Sequence, residues 1–227
     1  MLNAAPTTTA TVCWSCSAAI DDSALFCLAC GKIQPANSIN YYSVFGLVPV
    51  LNLDLGMLEH QFHKLSRKLH PDRFARAAAE EKEWSLAQSS LLNDAYRTLK
   101  DPIARTRYLL RLNGAEIGEE FAGRDKKDPS RAPADLLEEV FELNMQLEEL
   151  RMGEEDAGLR QSLSEAREKF LGLEDEVDEQ LRAQWTAWDE GGETTRAAAQ
   201  KTMVALLDRR RYLSNLVREV TDTLGDC

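Results

Sequence analysis

Apolar positions recur at three- and four-residue steps through most of this chain, the spacing of one face of a 3.6-residue helix. Between residues 54 and 69 the apolar set is Leu55, Leu58, Phe62, Leu65 and Leu69, with His60, Lys64, Arg67 and Lys68 on the opposite face. That pattern predicts an amphipathic helix from Asp54 to Leu69. A second helical run spans Glu80 to Lys100, with Trp84, Leu91, Ala95, Tyr96 and Leu99 as its expected buried side. His70-Pro71-Asp72 stands between the two. Proline lacks an N–H and pushes the residue before it out of the helical region, so Pro71 stops the first helix and leaves an exposed corner beside a basic face. Upstream, Tyr41 to Leu47 reads as a short helix followed by a loop containing Pro49. Downstream, Ile103 to Leu112 reads as a further helix between Asp101-Pro102 and Asn113-Gly114.

From Pro133 onward the pattern is helical throughout. Expected helices run Asp135–Met152, Asp156 to about Asp189, and Glu193–Leu224, with breaks near Gly153 and Gly191-Gly192. Three long amphipathic helices with short connections predict an antiparallel bundle. The first of them carries two apolar ridges. Leu136, Val140, Leu143, Leu147 and Leu150 alternate steps of four and three and suffice for a core stripe. Leu137, Phe141 and Met145 form a second ridge, flanked by Glu138, Glu142 and Glu149. Periodicity alone leaves open whether this ridge widens the core or forms a partner-binding strip.

Charge sharpens the division. The net charge of −11 over 227 residues argues against general nucleic-acid binding. Residues 40–113 hold 11 Lys/Arg against 8 Asp/Glu, a balance of +3, and residues 133–227 hold 11 against 23, a balance of −12. Two surfaces of opposite sign suit two different partners. No run approaches the roughly 18 apolar residues of a membrane span. The first twelve residues are small and polar without Arg or Lys, unlike a secretory signal or an intact mitochondrial presequence.

Four of the five cysteines form two CxxC pairs, Cys13/Cys16 and Cys27/Cys30, ten residues apart. Each pair can make a knuckle, and four thiolates suit one structural zinc ion with no open coordination position. Paired disulfides or free thiols, and an iron–sulfur cluster on four thiolates, are the alternatives. Trp14 and Phe26 beside the knuckles are read as packing, and Cys227 as a stray terminal thiol. His60 and His63 lack a third local ligand and are read as surface residues.

The order YYSVFGL, basic helix, HPD, and then a helix ending in DAYRTLKDP about twenty residues on resembles a J domain. The following ARTRYLLRLNG and the acidic helical tail are similar to the HscB group, the J-proteins of iron–sulfur cluster assembly. The N-terminal tetracysteine module is similar to that of the group's animal members. The resemblance implies an all-α fold, a J domain plus a C-terminal three-helix bundle in an L-shaped arrangement, preceded by a small zinc module. The implied organisation is a disordered tail (1–12), zinc module (13–38), J domain (40–113), linker (114–132) and scaffold-binding bundle (133–227).

The resemblance also implies a function without catalytic residues. The J domain would dock on a DnaK-type heat-shock chaperone through His70, Pro71 and Asp72, with Lys64, Arg67 and Lys68 beside them, and stimulate its ATPase. The tail would present an IscU-type iron–sulfur scaffold protein through Leu137, Glu138, Phe141, Glu142, Met145 and Glu149, joined by Tyr212. Met145 stands where the group often carries a carboxylate or amide, and Tyr212 where phenylalanine is found. The implied location is the mitochondrial matrix, with a monomer or weak dimer and neither nucleic-acid nor membrane partners. The runner-up is a general J-protein with another client. A metal-dependent hydrolase using His60, His63 or His70 lacks a complete ligand set, a phosphate loop and a nucleophile elbow.

Overall fold

The computed structural model describes residues 11–35, 40–117, 134–153 and 157–225. The chain divides into two compact units, residues 1–109 and 110–227. The helices lie close to where the apolar periodicity places them. In the first unit, α1 (Tyr41–Val44) starts where the Asn40 side chain accepts the Ser43 N–H at 3.0 Å. It is a single turn and stops short of Leu47, because Gly46 turns the chain at φ +65°. The Asp54 carboxylate accepts the Met57 N–H at 2.9 Å and opens α2 (Leu55–Leu69). A 3-10 turn (Pro71–Phe74) leads to α3 (Ala79–Lys100). Asp101 then caps α4 (Pro102–Leu112) by accepting the Ala104 N–H at 2.6 Å.

Leu58 and Leu69 of α2, Leu92, Ala95 and Leu99 of α3, Tyr42 of α1 and Leu51 of the loop are all fully buried. Each buried leucine contributes about 1.5–3 kcal/mol relative to exposure. The Phe62 and Tyr96 rings stack at 4.1 Å and join α2 to α3. The expected faces need adjustment at their ends. Leu55, at the first helical position of α2, is exposed. On α3, Trp84, Leu91 and Tyr96 are only half-buried. The buried stripe there runs Glu81, Ser85, Gln88, Leu92, Ala95, Leu99.

Before α1 lies the cysteine module, with two short strands, β1 (Thr11–Val12) and β2 (Ala19–Ile20), paired antiparallel, and a bridge between Phe26 and Ile33. Thr11 and Val12, expected in a disordered tail, are thus strand residues. Residues 1–10, most of the 114–132 linker and Cys227 lie outside the described residues.

In the second unit a 3-10 turn (Ala134–Leu136) precedes α5 (Leu137–Arg151), followed by α6 (Ala157–Ala183), α7 (Trp185–Glu190) and α8 (Glu193–Leu224). Polar pairs report the register. Lys169–Glu139 and Gln146–Ser162 set α5 antiparallel to α6, while Arg210–Asp178 and Ser214–Glu174 set α6 antiparallel to α8. The core joins Leu136, Val140, Leu143 and Leu147 to Leu163, Phe170 and Val177 of α6 and Leu213, Leu216 and Val220 of α8. The helix expected to run to Asp189 instead breaks at Gln184. Gln184 itself keeps a right-handed helical conformation, and Trp185 and Trp188 of α7 are both buried.

Among the described residues, no helix is long and apolar enough to cross a membrane. Gly191 joins α7 to α8 where a Cβ would stand 2.1 Å from the Ala187 carbonyl oxygen, a backbone atom that cannot step aside. Gly172 lies inside α6 with nothing within 4 Å of a Cβ. The two glycines therefore predict opposite signs in thermal denaturation. Gly191→Ala should cost about 1–3 kcal/mol by overpacking, and Gly172→Ala should add about 0.5–1 kcal/mol through helix propensity.

Candidate functional site

The corner at residues 70–72 is built from its buried side outward. Leu69, the last residue of α2, is fully buried, and its carbonyl is one of those a helix end leaves without an intrahelical partner. Two hydroxyls of α3 take it up, Ser85 Oγ at 2.6 Å and Ser89 Oγ at 3.2 Å. His70 then leaves the helix at ψ 128°, as a residue before proline must. Its Nδ1 lies 3.3 Å from the Asp72 N–H, from which it can accept, and 3.5 Å from the Asp72 carboxylate. His70, Pro71 and Asp72 are all exposed, and so are Lys64, Arg67 and Lys68 on the adjoining face of α2. The corner offers an exposed imidazole, an exposed carboxylate able to accept a guanidinium fork, and a field of positive charge. His60 and His63 are exposed as expected.

Ser85 and Ser89 had escaped the reading of the sequence, as had Glu81 and Gln88. Their signal was available. The stripe Leu92–Ala95–Leu99 continues upstream at the same steps of three and four, but with polar side chains that an apolar count skips.

The cysteine module repeats one device twice. In each knuckle the N–H of the residue after the second cysteine donates to the carbonyl of the first, Ser17 to Cys13 at 2.9 Å and Gly31 to Cys27 at 2.8 Å. Both residues turn left-handed, at φ 57° and 73°. The four sulfurs lie within 4.8 Å of one another, with Cys13–Cys30 and Cys16–Cys27 both at 3.7 Å. Those separations are far beyond a disulfide bond. They match the edge of a tetrahedron of thiolates around one ion with metal–sulfur bonds of about 2.3 Å, so the residues fit a single metal ion. Burial opposes ionisation of Cys13, but the Cys16 and Ser15 N–H groups outweigh it and bring its thiol down to about 6. The Ala18 N–H favours a Cys16 thiolate, yet the neighbouring sulfurs, Cys30 foremost, and burial push Cys16 up to about 12. Four thiols in one small space cannot all ionise without a cation among them.

On α5 the two ridges part company. The first stripe is buried from Leu136 to Leu147 and partly buried at Leu150, whereas Leu137, Phe141 and Met145 of the second are 47%, 68% and 50% exposed. Glu138, Glu142 and Glu149 flank them in solvent. The ridge therefore does not widen the core. Met152, 78% exposed, extends it beyond its expected end, and a shallow depression of about 360 Å³ opens between Phe141, Asn144, Met145, Glu148, Glu149 and Met152. Tyr212 of α8 is half-buried and packs against the cluster containing Leu136 and Val140. Burial, then the charge of Glu219, raises its phenol pKa. One turn earlier, Arg209 forks onto both oxygens of Asp135 at 3.0 and 2.7 Å and ties α8 to the start of α5.

No protein-family model matches the chain. It is 30% identical over 212 residues to the mouse (Mus musculus) iron–sulfur cluster co-chaperone protein HscB, covering 92% of this chain and 80% of that protein. It is 31% identical over 173 residues to an Arabidopsis thaliana homolog of that co-chaperone, covering 76% of this chain and 64% of the relative. The crystal structure of human co-chaperone protein HscB superposes with a TM-score of 0.66 at 25% identity, covering 93% of this chain and 97% of that one. Fold and relatives agree on a co-chaperone of the J-domain class. Within that class the chain belongs to the HscB family of iron–sulfur cluster co-chaperones.

The Arg209 fork, ahead of the opposing effect of burial, holds the Asp135 carboxyl below its ordinary value. A carboxylate depressed in the folded state contributes stability above its unfolded pKa of about 3.9, and loses it as pH falls through the folded value. Denaturant midpoints measured between about pH 5 and pH 2.5 should fall less steeply in Asp135→Asn than in the parent. Equal slopes would remove Asp135 as a source of the acid sensitivity.

Proposed function

We propose that this protein recruits a DnaK-type heat-shock chaperone through His70, Pro71 and Asp72, stimulates its ATP hydrolysis, and presents an IscU-type iron–sulfur scaffold protein to it through α5. The observation that carries this reading is the pairing, on one chain of the HscB family, of an exposed corner beside a basic helix with an exposed apolar ridge edged by carboxylates. The chemistry takes place on the chaperone, so this chain contributes recognition and positioning rather than catalytic groups. Lys64, Arg67 and Lys68 steer the chaperone, while the excess of acid in residues 133–227 selects a different partner. A scaffold held on the tail is presented at high effective concentration to a chaperone docked at the corner.

The four cysteines hold one zinc ion structurally. Closed four-thiolate coordination leaves no position for a substrate and supplies the folding energy that so small a module lacks. The relatives in mouse and Arabidopsis support a eukaryotic setting, and the mitochondrial matrix is what the resemblance implies.

Single-turnover ATP hydrolysis by the matching chaperone tests the whole scheme. Protein and scaffold together should stimulate far more than either alone. His70→Gln should abolish stimulation in a folded protein, and a folded variant that still stimulates would sink the docking role of the corner. Phe141→Ala should weaken scaffold binding in titration calorimetry by more than ~1 kcal/mol, as truncation of an interface anchor does. Unchanged affinity would move the client site off α5.

A further inference from the structure

The polar half of the α3 stripe touches both the cysteine module and the docking corner, which the proposed function leaves unconnected. On the module side, Lys32 Nζ lies 2.8 Å from Glu81 Oε1, and Glu81 is only 6% exposed. Gln88 Nε2 donates to the Gln34 carbonyl at 2.6 Å, within the core. Gln34 in turn donates to the Cys13 sulfur at 3.4 Å, and Trp14 packs edge-on against Trp84 with centroids 5.4 Å apart. On the corner side, Ser85 and Ser89 hold the Leu69 carbonyl. Ser85 stands one helical turn after Glu81, and Ser89 is the neighbour of Gln88.

We propose that the metal-folded cysteine module clamps the N-terminal half of α3 and thereby fixes the His70-Pro71-Asp72 corner, with Glu81, Ser85 and Gln88 as positioning residues. This inference rests on the reading of that corner as the chaperone-docking site. The first half of α3 cannot hold itself. No side chain caps it at Ala78, and its buried positions up to Gln88 are all polar. Glu81 tolerates burial only while Lys32 answers it, since an unanswered buried carboxylate is strongly destabilising. Among the described residues the buried Oε1 atoms of Gln34 and Gln88 meet no hydrogen-bond partner, so the seam is not self-sustaining. When the metal leaves, the module loses its folding energy and Lys32, Gln34 and Trp14 are no longer held in place. Glu81 then regains water by opening the first turns of α3, and the hydroxyls that hold Leu69 move with them.

Hydrogen exchange on the full chain tests this, comparing the zinc-loaded protein with the same protein stripped by a chelator. Stripping should quicken exchange roughly tenfold in residues 67–75 and 79–90 and leave residues 137–224 unchanged, as expected for local opening. Glu81→Ala should reproduce the effect with one zinc per chain retained, and Glu81→Gln, which still accepts from Lys32, should restore most of the protection. Ser85→Ala should loosen residues 67–75 alone. ATPase stimulation should fall in parallel with the loosening of the corner. Identical exchange with and without zinc would overturn the clamp, and so would a loss of protection spread over α5 to α8. If stripping loosens the corner while stimulation stays the same, the clamp stands and the docking role of the corner falls.

Discussion

The hydrogen bond from Ser85 Oγ to the Leu69 carbonyl closes α2 at the point where the chain must turn. A helix that stops at proline has no following amide to satisfy its last carbonyls, and here one of those carbonyls is buried. Left without a partner it would cost about 1–3 kcal/mol. Supplying the partner from α3, rather than from water, makes the corner part of the packed hairpin. Leu69 is the buried end of that arrangement and His70 the exposed end, one residue apart. The imidazole lies against the Asp72 amide, which restrains the ring on the surface.

The stripe of α3 does two kinds of work along one line. Leu92, Ala95 and Leu99 pack against α2 and α1 through apolar contact, which needs only shape and area. Glu81, Ser85 and Gln88 are directional, and each answers one particular group on another segment. A buried polar residue is tolerated only where its partner stands in place, so this half of α3 is more specific and more dependent than the apolar half. The cysteine module, with too small an apolar interior to fold unaided, lies at the dependent end.

In the second unit the division falls between the two ridges of α5. One is consumed by packing against α6 and α8, and the other is left in solvent with its carboxylates. The Arg209–Asp135 fork and the Arg210–Asp178 pair lie near the surface and contribute more to register than to stability. The first ties α8 to the turn that opens α5, and the second fixes α8 against α6. An apolar ridge kept exposed on a small bundle is a feature that folding alone does not favour.

Much of this was legible in the chain itself. Helix positions followed from apolar period and from Pro71, Gly153 and Gly191, and α8 spans Glu193–Leu224 as its pattern predicts. The corner could be read because proline acts locally, and the metal site because CxxC spacing brings two thiolates together within one knuckle. Other features depended on what faces what. Whether Leu137, Phe141 and Met145 were core or surface hung on the rotation of α5 against its neighbours, to which a period of 3.6 is blind. The interruption at Gln184 carries no local stop signal in the sequence. The roles of Glu81, Ser85 and Gln88 appeared only in the folded unit. A polar side chain in a helix reads as solvent-facing until the carbonyl or ammonium that answers it, contributed by a distant stretch of chain, is in place.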